Sequence, residues 1–291
     1  LPIAPEAGGE SVICVGESKT LAADTDRLRA DLRPRGEDGY LMLSQGKRIV
    51  LVLEAQRFIV IHLMIAGRFQ WQTHIKPIAE RAGLAAFDFS SGTLLLTEAG
   101  TRKRASIHYV VGTEALSQFD RGGLEVCEVE QPLFELAMTR QRHTLKRALT
   151  DPTILSGIGN AYSDEILHRA QLSPLHLTDR LTPEQWTRLF NATRQVLEEW
   201  TIRLRTESGY DFPGNVTAFR KEMAVHGRFG KACPRCHTPV QRIVYASNET
   251  NYCPTCQTDG KLLADRSLSR LMRDDWPRTL EELEERKAGS R

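Results

Sequence analysis

Two cysteine pairs carry the plainest chemistry in this sequence: CPRC at 233–236 and CPTC at 253–256, with sixteen residues between Cys236 and Cys253. Two such turns can close four thiolates around one ion in a tetrahedron, at a metal–sulfur distance of ~2.3 Å. The proline inside each pair stiffens the turn that points both sulfurs the same way. With four protein ligands the ion has no open position, so it holds structure and activates no water. A structural zinc contributes on the order of 10 kcal/mol to a segment too small to fold alone. Paired C-P-x-C turns also suit a mononuclear iron site. Basic surroundings and the lack of other redox groups favour one structural Zn2+ on Cys233, Cys236, Cys253 and Cys256. His237 is adjacent, but four thiolates already saturate the ion.

A second constellation is DPTILSGIGNAYSDEILHRA, residues 151–170. Gly157 and Gly159 permit sharp backbone turns, and a helix starts at Asn160 with Tyr162, Ile166 and Ala170 on one face. Exposed amides at a helix start suit a phosphate, and the Asn160 side chain can cap the helix or donate to a phosphate oxygen. Most glycine-bearing helix junctions bind nothing, so this turn alone is weak evidence. Charge adds to it: residues 220–273 hold ten Lys and Arg against four Asp and Glu, although the whole chain has a net charge of only +2. Such a patch attracts a polyanion, nucleic acid above all, unless it is simply a solvated basic face.

These residues need elements to position them. The front of the chain reads as β: GKRIVLVL (46–53) and RFIVIHLMIAG (57–67) are strand runs with Glu54 to Gln56 as the turn. AFDFSSGTLLLTEAG (86–100) holds two more strands around Ser90, Ser91 and Gly92. From about residue 130 the period becomes helical, and 183–206 aligns Trp186, Phe190, Val196, Leu197, Trp200 and Leu204 in one stripe, which reads as core packing. Thr182, Pro183 and Gln185 mark its start. The tail from Asp274 reads as a short charged helix that frays at its end. The expected architecture is α+β and multidomain. It comprises an N-terminal β-sandwich or barrel (1–125), a helical domain (126–215), a β-hairpin zinc finger (216–262) and a C-terminal tail (263–291).

The combination of the 151–170 stretch with a four-cysteine hairpin closing in CPTCQ (253–257) resembles the formamidopyrimidine-DNA glycosylase and endonuclease VIII family. The likeness runs over about residues 40 to 260, in the same order: β front, helix–two-turn–helix, zinc finger. It implies base-excision repair of double-stranded DNA holding oxidised bases or abasic sites, by a monomer. Such enzymes turn the damaged base out of the stack. In the family, the secondary amine of an N-terminal proline attacks the sugar carbon. An α-amino group has a pKa near ~8, so much of it is neutral at working pH. A Schiff base forms and the strand is cut by elimination, with a glutamate after the proline as acid–base partner.

Carried over residue by residue, the resemblance makes Pro2 the nucleophile, with Ile3 following it where the family has its glutamate. The Pro5-Glu6 dipeptide restores that pair, so Glu6 is the candidate acid–base group. Lys47 matches the hairpin lysine on the DNA backbone, against the plain reading of a strand-edge lysine. Ile65 stands where the family places a methionine wedge, and a core strand residue would look the same. Arg102 and Arg104 keep the charge of a void-filling loop whose aromatic is absent. Lys146, Gly159 and Asn160 match the phosphate-holding turn and its preceding helix, and Asn248 stands in place of a finger arginine.

The reading from another class is a binder of damaged DNA that keeps the clamp without the chemistry. A zinc-ribbon transcription or RNA-binding factor would leave the 151–170 stretch unexplained. No apolar run approaches the ~18 residues of a membrane span. The first residues lack the pattern of a signal peptide, so a cytoplasmic, nucleoid-associated location is expected.

Overall fold

The computed structural model describes residues 28–31, 41–53, 55–74, 78, 82–89, 91–99, 101–209, 212–213, 216–217, 219–245, 248–264 and 277–289. The chain divides into two units, Leu1–Arg121 with Ser208–Val216, and Gly122–Glu207 with Thr217–Arg291. The first is a β-sandwich. One sheet runs β2 (Leu41–Gln45), β3 (Arg48–Leu53), β4 (Arg57–His62), β8 (Ser106–Val111), antiparallel throughout. The other runs β1 (Leu28–Asp31), β6 (Gly83–Phe89), β7 (Gly92–Glu98), β5 (Gly67–Gln72), with β1 parallel to β6.

Alternation along the strands makes the layers. Leu51, Ile59, Ile61, Ile107 and Tyr109 from the first sheet bury against Ala85, Phe87 and Leu96 from the second. Residues one step out of phase, Val50, Phe58, Val60 and Val110, point the other way. There Ala115 and Leu116 of α1 (Thr113–Ser117), with Phe119, cover them. Each large side chain so buried contributes about 1.5–3 kcal/mol.

The turn expected at 54–56 closes with left-handed backbone at Ala55 and Gln56. The strand expected over 46–53 begins two residues later. Gly46 (φ 61°) and Lys47 form a tight turn, and 41–45 supplies a partner strand that the sequence reading did not separate. The run 57–67 is corrected as well: it is not one strand. It stops at His62, turns through Met64 (φ 52°) and restarts as β5 at Gly67, whose N–H donates to the Leu63 carbonyl at 2.9 Å. A Cβ on Gly67 would meet that carbonyl oxygen at 2.4 Å, so the turn requires glycine there.

In the second unit, α2 (Gln131–Thr139), α3 (Leu145–Thr150), α4 (Asn160–Ala170) and α5 (Pro183–Ser208) enclose one core. Phe134, Met138, Leu149, Leu155, Ile166 and Leu189 are its centre. The expected stripe of α5 is buried at Trp186, Phe190, Val196 and Trp200. Its start is a reciprocal capping box: Gln185 N–H donates to Thr182 Oγ1 (3.3 Å) and Thr182 N–H to Gln185 Oε1 (2.9 Å). The same unit holds the finger, made of β9 (Gln241–Tyr245), β10 (Asn248–Tyr252) and α6 (Pro254–Thr258). The charged tail helix forms as α7 (Leu280–Gly289). Among the described residues, no helix is long and apolar enough to cross a membrane.

Candidate metal centre and its helix

The two C-P-x-C turns bring the Sγ atoms of Cys233, Cys236, Cys253 and Cys256 within 4.8 Å of one another. Cys236 and Cys253 lie 3.3 Å apart, and Cys233 and Cys256 4.0 Å. Four sulfurs at ~2.3 Å from a central zinc would stand about 3.8 Å apart, so the cage fits. Burial pushes the Cys253 thiol up and that of Cys256 to about 11. A divalent cation among the sulfurs offsets that burial and favours the thiolate. The chain binds one structural Zn2+ here. Beneath it lies a very small core, Val225, Val240 and two of the ligands themselves, Cys233 and Cys253.

The finger docks on α4 through a polar stripe, Asn160, Asp164, Glu165 and His168, of which only Asn160 stood out in the sequence. Positions four apart lie one above the other on a helix, so a repeat of polar residues at 160, 164 and 168 was the available signal. Asn160 Nδ2 donates to the Glu249 carbonyl of β10 at 2.8 Å. Asp164 is fully buried. Its Oδ1 accepts from Lys146 Nζ (2.5 Å), and its Oδ2 from His226 Nδ1 (2.8 Å) and the Asn251 N–H (3.2 Å). Glu165 accepts three backbone N–H bonds from Ala224, Val225 and His226, at 2.7–2.9 Å. His168 Nε2 sits 3.2 Å from Cys233 Sγ. Tyr162, Ile166 and Ala170, expected on one face, pack into the helical core.

Sequence expectations meet this geometry unevenly. Gly157 has φ 79° and needs glycine. Gly159 does not: it is the N-cap at φ −114°, ordinary extended backbone, so the backbone reason offered for it is corrected. The first intrahelical bond runs from Ser163 N–H to the Gly159 carbonyl, which leaves the N–H groups of Asn160, Ala161 and Tyr162 ahead of it. Lys146 spends its three ammonium hydrogens inside the protein, on the Asn160 carbonyl (2.8 Å), Ser163 Oγ (2.8 Å) and Asp164. It braces the turn. Burial lowers its pKa even with Asp164 opposing the shift. Asn248 opens β10, opposite Tyr245. Nearby, Arg242 lies 4.4 Å over the Phe229 ring and pairs with Glu249 at 2.9 Å, a cation that no motif singles out.

In the other unit, Ile65 is 77% exposed at the tip of the 63–66 turn, which removes the core-strand alternative. Arg102 and Arg104 are exposed, in a loop fastened by Glu98, whose carboxylate accepts the Arg104 and Ala105 N–H groups at 2.8 and 3.1 Å. Desolvation lowers the pKa of Lys47. His62 is lowered first by desolvation and then by Arg48, Lys47, His108 and Arg121, so five basic side chains converge there. Pro2 and Glu6 lie outside the described residues.

Two family models match the chain: the formamidopyrimidine-DNA glycosylase H2TH domain over residues 126–208, and the zinc finger found in FPG and IleRS over 230–258. A formamidopyrimidine-DNA glycosylase of Pelotomaculum thermopropionicum is 34% identical over 224 residues, 73% of this chain and 79% of that protein. A formamidopyrimidine-DNA glycosylase-like protein of Mycobacterium tuberculosis is 41% identical over 129 residues, 44% of this chain and 80% of its own. Among solved structures, MutM in complex with DNA containing carbocyclic 8-oxo-G superposes with a TM-score of 0.65 at 24% identity, covering 76% of this chain and 83% of that one. The Lactococcus lactis Fpg complex with abasic-site DNA gives 0.64 at 22%, covering 75% and 81%. At these identities the structural likeness speaks for the fold.

Proposed function

This chain belongs to the formamidopyrimidine-DNA glycosylase family, and from that premise we propose that it is a base-excision repair protein. On this reading it grips duplex DNA at a damaged or abasic site, removes an oxidised base and cuts the strand as a lyase. The observation that carries the reading is the bond from Asn160 to the Glu249 carbonyl. It joins the amide-rich start of α4 to the finger, so both present to one sugar–phosphate strand as a single rigid piece. Zinc supplies no step. It fixes β9 and β10 against α4.

Within this reading residues 1–125 form the catalytic-type domain, 126–215 the helical DNA-binding domain and 216–262 the finger. Phosphate oxygens accept from the free N–H groups at the start of α4. Lys47, with Arg48 and Arg121 acting on the same His62, supports a second phosphate contact through charge. Ile65, exposed at its turn, suits a wedge into the space a flipped base leaves. Arg102 and Arg104 face the same opened stack. Arg242, placed over the Phe229 ring, contributes charge on the strand facing β10, where Asn248 brings none. For cleavage, a proline amine freed by removal of the residues ahead of it (Leu1 before Pro2, or residues 1–4 before Pro5) attacks the sugar carbon, the base leaves with a proton from Glu6, and elimination follows from the Schiff base. Ile3, which follows Pro2, cannot transfer a proton, and that favours the second reading, a damaged-DNA binder that lacks the chemistry.

One experiment separates the two. The full chain is incubated with a duplex holding 8-oxoguanine or an abasic site, and borohydride is added. A covalent protein–DNA adduct is expected. Binding without an adduct makes the chain a binder, and no preference for the damaged duplex removes both readings.

Asn160→Ala tests the grip. Losing one neutral hydrogen bond lowers stability by only about 1 kcal/mol. Affinity for the damaged duplex is expected to fall on the order of tenfold, about 1.4 kcal/mol, in a gel-shift titration at fixed salt. An unchanged affinity takes the turn out of the interface.

A further inference from the structure

Three of the four polar residues along α4 answer backbone groups or a charge pair of the finger, whereas His168 answers a sulfur. The imidazole is 7% exposed and the Cys233 side chain not at all, and Nε2 stands 3.2 Å from Sγ. A cysteine sulfur bound to zinc is a thiolate, which accepts hydrogen bonds and cannot donate one. The hydrogen between the two atoms therefore belongs to Nε2, and that fixes the tautomer of the ring. His168 follows Asn160 by eight positions, two turns along the same face.

We propose that His168 is a positioning residue of the metal centre. Its Nε2–H bond to Cys233 Sγ withdraws charge from that one thiolate and fixes its direction. The bond also fastens the zinc to the helix that begins at Asn160, so metal occupancy and the seating of α4 against the finger are one event. Groups that hydrogen-bond to metal ligands usually change metal affinity by roughly 10–100-fold. His168 has that influence on a cage whose own apolar core is only a few residues. The inference rests on the zinc site and not on the DNA reading, so a failed trapping assay leaves it intact.

The test uses the full chain with cobalt(II) in place of zinc, together with His168→Met, which fills the space without a donor, and His168→Gln, which keeps an N–H. The hydrogen bond lowers the energy of the sulfur lone pairs, so its loss is expected to move the sulfur-to-cobalt charge-transfer band to longer wavelength. Zinc transfer from His168→Met to a colorimetric chelator is expected to be at least tenfold faster than from the native protein. His168→Gln is expected to stay near the native protein in both measurements. A second measurement needs no variant: in the cadmium-loaded native chain, the Nε2–H proton resonance should show scalar coupling to the metal through sulfur. The proposal is overturned if His168→Met matches the native band and release rate. It is equally overturned if Met and Gln shift alike, which would mean packing alone, or if the cadmium-loaded protein lacks the coupling.

Discussion

Asp164→Ala is expected to destabilise the helical unit by about 3–5 kcal/mol, the usual cost of removing one partner from a buried ion pair. The size follows from what is left behind. Asp164 is fully buried, and three donors converge on it from three segments: Lys146 Nζ of α3, His226 Nδ1 and the Asn251 N–H of β10. Lys146 is itself 12% exposed, and burial already lowers its pKa with the carboxylate present. Without Asp164 its charge faces only the neutral oxygens of Asn160 and Ser163. Asp164→Asn should recover little, because an amide has one acceptor oxygen for three donors and brings two N–H groups of its own. Denaturant unfolding followed by the fluorescence of Trp186 and Trp200, both in this unit, reads the effect. A loss below about 1 kcal/mol in Asp164→Ala would mean that water or a neighbouring acceptor has replaced the carboxylate.

Cys253→Ser is expected to have the larger consequence for the finger. Structural zinc contributes on the order of 10 kcal/mol, and apart from it the hairpin holds little beyond the buried Ile243 and Tyr252 and its hydrogen bonds to α4. Its buried cluster is Val225, Val240 and two ligand cysteines, so losing the ion removes the core along with the cage. The serine variant should purify without zinc, against one ion per chain in the native protein. Amide exchange should accelerate across 230–258 and in 224–226, whose N–H groups bind Glu165. Protection in α2 and α5 should hold, because Phe134, Trp186, Leu189 and Phe190 pack together without the finger. Stoichiometric zinc in the variant, or unchanged exchange in the hairpin, would contradict this account of the metal's role.

The metal ligands were legible because tetrahedral coordination depends on local spacing: two residues between cysteines in each turn, and one hairpin between the turns. The helix stripe of α5 and its capping box were legible for the same reason, since 3.6-residue periodicity and the Thr182–Gln185 exchange involve neighbours in sequence. The turn at 63–66 was not. A run such as HLMIAG is apolar enough to continue a strand, and only the close approach of Gly67 to the Leu63 carbonyl ends it. That approach also sets Ile65 outward, where composition alone left core and surface equally open.

By itself, then, the sequence determined the zinc cage, the alternation of the β layers, the helical core and the family, all of them patterns repeated over a few residues of chain. Tertiary structure alone decided that Lys146 is spent inside the protein, that Asp164 gathers three segments, and that His168 reaches a zinc ligand 65 positions away. The physical reason is range. A hydrogen bond or ion pair closes only when both ends have arrived, and no local pattern states which distant partner a buried charge will meet.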